Sequence, residues 1–167
     1  MAKASANGLE LYYERRGAGA RVLFVNGSGG DLRRPPVIFD SPIGTHFDLL
    51  AYDHRGLGQS DLPDGPFEMC DLADDAAQLL DHVGWDTCHV FGISFGGMVA
   101  QEIALRHPDR VDKLVAGCAP AGGAGGASHP LHTLNELSPI ERAKYLIPVL
   151  DTRKDISWQQ KHPEKYA

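Results

Sequence analysis

The sequence predicts an α/β fold with a mostly parallel sheet and flanking helices, and three observations carry that prediction. Short, largely apolar runs at residues 22–25, 47–52 and 88–93 have the length and composition of strands buried on both faces, which belong to parallel sheets. Segments with helical periodicity alternate with these runs. Glycine-bearing loops follow the strands at their carboxyl ends, where open parallel sheets place their ligands.

Taken in order, residues 9–15 (LELYYER) are rich in β-formers and are broken by Gly17-Ala18-Gly19, which predicts a strand and a turn. The run 22–25 ends in Asn26-Gly27-Ser28-Gly29-Gly30, a glycine-rich loop, and Arg33-Arg34-Pro35-Pro36 then prevents a smooth helix because proline lacks the amide donor. A loop or short broken helix is expected there. The strand at 47–52 leads into Asp53-His54-Arg55-Gly56-Leu57-Gly58-Gln59-Ser60, an irregular turn. Leu72, Ala76, Leu79, Leu80 and Val83 then recur at helical spacing, with Asp71 placed as N-cap, Asp74 in the first turn and Gly84 just past the end.

A short strand at 88–93 and an apolar helix at 95–106, stopped by His107-Pro108, flank Ser94. One more strand is expected at 113–118, followed by the small, flexible stretch 119–128 (APAGGAGGAS). This stretch divides the chain into a core part, 1–120, and a second part, 121–167. In the second part Ser138-Pro139-Ile140-Glu141 offers a capping box, so a helix is expected until Pro148, with another over 157–161.

Composition narrows the function. The 167 residues carry a formal charge of -6, which disfavours a nucleic-acid partner. No stretch has the length and apolarity of a secretory signal or a membrane span, so no membrane partner and a cytoplasmic location are the expectations. Cys70, Cys88 and Cys118 form no C-x-x-C pair and are expected reduced. His129 and His132 resemble a metal pair only superficially, since no third ligand is near and Pro130 disrupts helical presentation. No metal and no cofactor are expected.

The chemistry concentrates at Gly92-Ile93-Ser94-Phe95-Gly96, which fits G-x-S-x-G. Gly92 and Gly96 let the backbone turn sharply from strand to helix without colliding side chains, lifting the Ser94 hydroxyl clear of the sheet. Attack on a carbonyl creates an oxyanion, which free amides at a helix N-terminus can stabilise. Phe95 would supply one amide. Ser28 would supply the other, in a loop where Gly27, Gly29 and Gly30 allow close backbone approach. The pentapeptide alone is a weak signal; the strand before it, the helix after it and the upstream glycine loop give it meaning.

On these residues the sequence resembles the α/β-hydrolase superfamily, in the branch of small esterases, lactonases and cofactor-free haloperoxidase-like enzymes. The similarity runs from about Gly8 to the chain end and is most specific at Asp53–Ser60 and at 92–110 (GISFGGMVAQEIALRHPDR). It implies Ser94 as nucleophile and the Ser28 and Phe95 amides as oxyanion hole. It implies a small-molecule acyl substrate, with Asn26-Gly27 standing where the family usually has His-Gly.

The family's triad runs in the order serine, acid, histidine. Residues 119–121, where some relatives carry the acid, are Ala-Pro-Ala, and residues 121–167 resemble the start of a helical lid. The chain is therefore expected to stop inside the lid before the last strands, to lack the acid and the histidine, and to be nearly inactive alone. His54 is expected in a structural turn, His107 as a helix terminator, and His162, Asp151, Asp155 and Glu164 at the surface. The uncovered strand at 113–118 predicts self-association through an exposed sheet edge. Two rivals remain: a non-catalytic ligand-binding relative, and a nucleotide-binding Rossmann domain. The second is weakened because Leu32 occupies the position that needs a small residue for close helix packing.

Overall fold

The computed structural model describes residues 2–126, 130–151 and 153–165, so His129, Ala127 and Ser128 of the sequence expectations lie outside the described residues. The chain divides into two compact units, Met1–Ala127 and Ser128–Ala167.

The first unit is built on a six-stranded sheet of order β1-β2-β4-β3-β5-β6. Its strands are β1 (Ala2–Ala6), β2 (Leu9–Arg16), β3 (Arg21–Val25), β4 (Asp48–Tyr52), β5 (Cys88–Ile93) and β6 (Val111–Gly117). The β1/β2 and β2/β4 pairs are antiparallel. The pairs β3/β4, β3/β5 and β5/β6 are parallel, as the apolar runs predicted. β4 is buried along its whole length.

β1 was not expected. Its sequence, AKASA, has no large apolar residue, and only its alternation, with Ala4 and Ala6 facing the core, marks it as a strand.

Two helices cover one face of the sheet. α2 (Met69–His82) and α3 (Phe95–Arg106) contribute Leu72, Ala76, Leu79, Leu80, Val99, Ala100 and Ile103 to a core shared with Leu23, Val25, Leu50 and Val90. The expected N-cap of α2 is corrected: Glu68 caps, and Asp71 lies at the third helical position, where its carboxylate accepts the Glu68 amide at 2.7 Å. Asp74 consequently falls in the second turn, where it binds Arg106 and His107 rather than the helix end. Gly84, at φ +72°, follows the helix as predicted.

The opposite face holds Tyr12, Val22, Phe24, Leu49 and Ala51 and is covered by the segment after β3. That segment runs through Leu32 and a 3-10 turn, Ile38–Asp40, to the single-turn α1 (Ile43–His46), the broken helix that the Arg-Pro run predicted.

β6 starts at Val111, two residues earlier than predicted, and stops at Gly117, because Cys118 turns to φ +54°. It is the edge of the sheet. Val115 is 55% exposed.

In the second unit α4 (Pro139–Leu150) begins in the predicted capping box, with Ser138 Oγ accepting from the Glu141 amide. It does not end at Pro148, which lies in the last turn. The amide that proline lacks would have bonded to the Lys144 carbonyl, and Gln159 Nε2 donates to that carbonyl instead, at 3.4 Å. Gln159 belongs to α5 (Ile156–Lys161), whose N-cap is Asp155, so this carboxylate is more than a surface charge.

Candidate active site

Three loops meet at the carboxyl ends of adjacent strands β4, β3 and β5, so sheet order alone brings the predicted motifs together. Ser94 follows β5 and precedes α3 with φ +56° and ψ -122°, a backbone conformation that a residue with a side chain rarely adopts. Its amide donates to the Gly117 carbonyl at 2.8 Å, and its carbonyl accepts from the Gly97 amide at 2.9 Å. The bend is thus held from both sides.

The glycines explain themselves by what a methyl group would meet. At Gly96 it would run into the Val25 and Asn26 carbonyls, and at Gly92 into the Gly96 carbonyl and, at 2.8 Å, the Ala100 Cβ. At Gly27 it would lie 3.6 Å from the Ser94 Cβ, which places the loop after β3 directly against the serine. At Gly30 it would strike the Asn26 side chain, while Gly29 takes φ +70°.

Asn26 orders this loop by accepting the Gly27 amide on its own Oδ1 at 2.9 Å, and the Gly30 amide bonds to the Gly27 carbonyl at 3.1 Å. Among the described residues, neither the Ser28 nor the Phe95 amide has a hydrogen-bond partner, and none bonds to the Ser94 hydroxyl. The loop also borders two clefts. One, about 400 Å³, is lined by Phe24, Asn26, Asp31, Arg34, Ile38 and Ile93. The other, about 290 Å³ and largely apolar, is lined by Ser28, His54, Leu57, Leu62, Phe67 and Phe95.

Residues that sequence reasoning treated as a plain turn support this arrangement. Asp53, only 1% exposed, accepts the Leu32 amide at 2.8 Å and the Gln59 amide at 2.9 Å, tying the loop after β3 to the loop after β4. Burial raises its pKa, against those hydrogen bonds. The Leu32 amide is therefore engaged with Asp53 at the very position where a Rossmann loop needs a small residue.

Ser60 Oγ donates to the Asp53 carbonyl at 2.6 Å and accepts the Tyr12 amide at 2.9 Å, linking the turn to β2. Arg55 and Asp75 form a buried two-point ion pair at 2.7 and 2.6 Å, which fastens the same turn to α2. Asp31, beside the glycine loop, is gripped through both oxygens by Arg33, whose hydrogen bonds hold its pKa down at about 2.

His54 is buried, with Nε2 3.0 Å from the Asn26 carbonyl. Burial lowers its pKa. The remaining predicted side chains are dispersed. His107 caps α3 and meets Asp74 at 2.8 Å; His162 caps α5 and lies 3.5 Å from Glu164; Asp151 is paired with Arg153. Among the described residues, no group of three His, Cys, Asp or Glu side chains is arranged to hold a metal, and no helix is long and apolar enough to cross a membrane.

Comparison with known proteins bears on the fold and the family. The family model for the alpha/beta hydrolase fold matches residues 20–146. The chain is 36% identical over 127 residues to the putative carbamate hydrolase RutD of Azorhizobium caulinodans, covering 74% of this chain and 47% of that protein. It is 36% identical over 120 residues to the dihydrolipoyllysine-residue acetyltransferase component of the acetoin cleaving system of Cupriavidus necator, covering 71% of this chain and 32% of that protein. The chain thus spans about half the length of the former relative and a third of the latter. The fold is shared with the enol-lactonase from Burkholderia xenovorans LB400, at TM-score 0.69, 24% identity and coverage of 99% of this chain and 64% of that one.

Proposed function

The chain belongs to the α/β-hydrolase fold family, and from that premise we propose that Ser94 is the nucleophile of a hydrolase acting on esters or related acyl compounds. One observation carries this reading: Ser94 stands on a strained bend against the Gly27 loop, and among the described residues the amides of Ser28, next in that loop, and of Phe95 have no hydrogen-bond partner. Strain is retained where the surroundings enforce it, and it clusters at reacting groups. Preorganised donors aimed at a developing oxyanion account for a large share of acyl-transfer catalysis.

In this scheme Ser94 Oγ forms a bond to the acyl carbon and gives up its proton to a base. The carbonyl oxygen gains negative charge between the two amides, and collapse of the intermediate expels the leaving group with its bonding electrons and a proton. Water then cleaves the acyl-enzyme and returns the proton to the serine. Carbamates and lactones, which the names of the RutD relatives and of the enol-lactonase mention, share the required carbonyl carbon bearing a heteroatom leaving group.

No described histidine or carboxylate hydrogen-bonds to Ser94, so the base and its acid partner are not assigned to this chain. We expect it to retain only the enhancement that oxyanion stabilisation and binding provide, about 10³- to 10⁴-fold over water. Residues 121–167 are the beginning of a helical lid in this reading, and the open edge at β6 favours self-association, to be checked by sedimentation of the chain against Val115→Lys.

The test is stoichiometric labelling by a fluorophosphonate, located by peptide mass spectrometry. Slow modification at Ser94 that is lost in Ser94→Ala supports the reading; modification elsewhere, or equal modification of the variant, refutes it. Rapid Ser94-dependent turnover of a p-nitrophenyl ester would overturn the expected near-inactivity while leaving the nucleophile in place.

A further inference from the structure

We infer that His54 is a positioning residue of the oxyanion hole: its Nε2–H holds the Asn26 carbonyl at the root of the Ser28 loop while its ring buttresses Phe95. This inference rests on the hydrolytic reading of Ser94 and adds to it a residue outside the serine, acid and histidine pattern.

Contacts on both sides of His54 carry the argument. Nε2 lies 3.0 Å from the Asn26 carbonyl oxygen, the last carbonyl before Gly27 and Ser28. That same oxygen is one of the two carbonyl oxygens a side chain at Gly96 would strike, so it sits between the imidazole and the first turn of α3. Its direction fixes the peptide plane from which the glycine loop departs. On the other side, the imidazole meets the Phe95 ring edge-on, with centroids 5.7 Å apart at 79°, and the Tyr52 ring at 5.1 Å and 75°. One side chain therefore touches the residue carrying one donor and the root of the loop carrying the other.

The protonation state follows from the partners. A carbonyl only accepts, so the Nε2 facing it carries the hydrogen. Nδ1 is buried with no partner among the described residues, and a proton placed there would have no acceptor. Asp53 on the same loop and Asp75 on α2 favour a charged ring, as does the Asn26 carbonyl, but burial outweighs them. The neutral Nε2–H tautomer is the state in which the loop is held. A purely space-filling role would be served equally by phenylalanine. The carbonyl contact would not.

That difference supplies the experiment, performed on the full chain. His54→Phe keeps a ring and loses the donor; His54→Gln loses the ring and keeps an amide N–H able to reach a carbonyl. The inference expects fluorophosphonate labelling of Ser94 to slow by about tenfold or more in His54→Phe and to recover to within about threefold in His54→Gln. It also expects the Gly27 and Ser28 amide resonances to move in the first variant and to stay near their original positions in the second. Equal labelling rates for His54→Phe and the unchanged chain, or unmoved amides, overturn it.

Should a variant fail to fold, the imidazole ¹⁵N spectrum of the unchanged chain decides. A protonated Nε2 with a bare Nδ1 supports the inference, and the reverse tautomer or rapid exchange between the two refutes it. A chain whose Ser94 never labels, but whose Gly27 and Ser28 amides respond as described, defeats the acyl-transfer reading and leaves the His54 contact standing.

Discussion

Replacing Asp75 by alanine should destabilise the first unit by about 3–5 kcal/mol. The carboxylate accepts from Arg55 at 2.7 and 2.6 Å and from Asn7 Nδ2 at 2.9 Å, and the paired side chains are only 8% (Arg55) and 1% (Asp75) exposed. Without it a guanidinium is left buried with no counter-charge and the Asn7 amide loses its acceptor, so the loss exceeds what the pair contributes when intact. For a chain of this size a change of 1 kcal/mol moves Tm by about 2–4 °C, which makes the expected fall about 6–20 °C.

Thermal unfolding followed by far-ultraviolet circular dichroism measures this directly. Asp74→Ala is the control, because its partners Arg106 and His107 are 42% and 27% exposed and the carboxylate itself 31%, so water replaces much of what is lost and Tm should shift far less. The double variant Arg55→Met/Asp75→Leu should recover much of the loss, since both charges then leave the interior together. If Asp75→Ala and Asp74→Ala unfold at the same temperature, the buried pair does not hold the turn and the reasoning fails.

Gly96→Ala should cost at least about 1–3 kcal/mol in urea unfolding, because the added methyl meets the Val25 and Asn26 carbonyls, which are backbone and cannot rotate away; an unchanged midpoint would refute the packing described for the elbow. Because burial depresses the His54 pKa, its contribution to stability is present above the unfolded value of about 6.5 and is lost as pH falls toward the folded value. The limiting slope is about 1.4 kcal/mol per pH unit, and His54→Gln should remove it from the pH profile of stability. The Cys88 thiol, pushed up to about 11 chiefly by burial, should resist an aromatic disulfide reagent at pH 8 until the chain unfolds, whereas exposed Cys118 reacts at once; simultaneous reaction of both would contradict the core assignment.

Legibility in the sequence followed the range of the forces involved. β3, β5 and the elbow could be read because a buried parallel strand and a strained turn each impose a local residue pattern, visible in 22–25, 88–93 and 92–96. The sheet order, which sets the loop after β3 beside Ser94, is long-range and was not legible; only the gathering of the glycine loops at the strand carboxyl ends followed from the alternation of strands and helices. What escaped was polar and non-local. Asp53, His54 and Asp75 act through the amides of residues 32 and 59, a carbonyl at 26 and a guanidinium at 55, and none of these pairings leaves a periodic trace. β1 escaped because alanine buries little area and gives no apolar contrast, and the continuation of α4 through Pro148 depended on a substitute donor from α5.

Asp53 grips its two loops by the main-chain N–H groups of Leu32 and Gln59. A clamp of that kind is indifferent to which side chains the gripped positions carry, proline excepted. Residue 59 can therefore vary while the two loops stay tied together, whereas residue 32 is held a second time, because the Leu32 side chain is buried in the cluster of Tyr12, Val22, Phe24, Leu49 and Ala51.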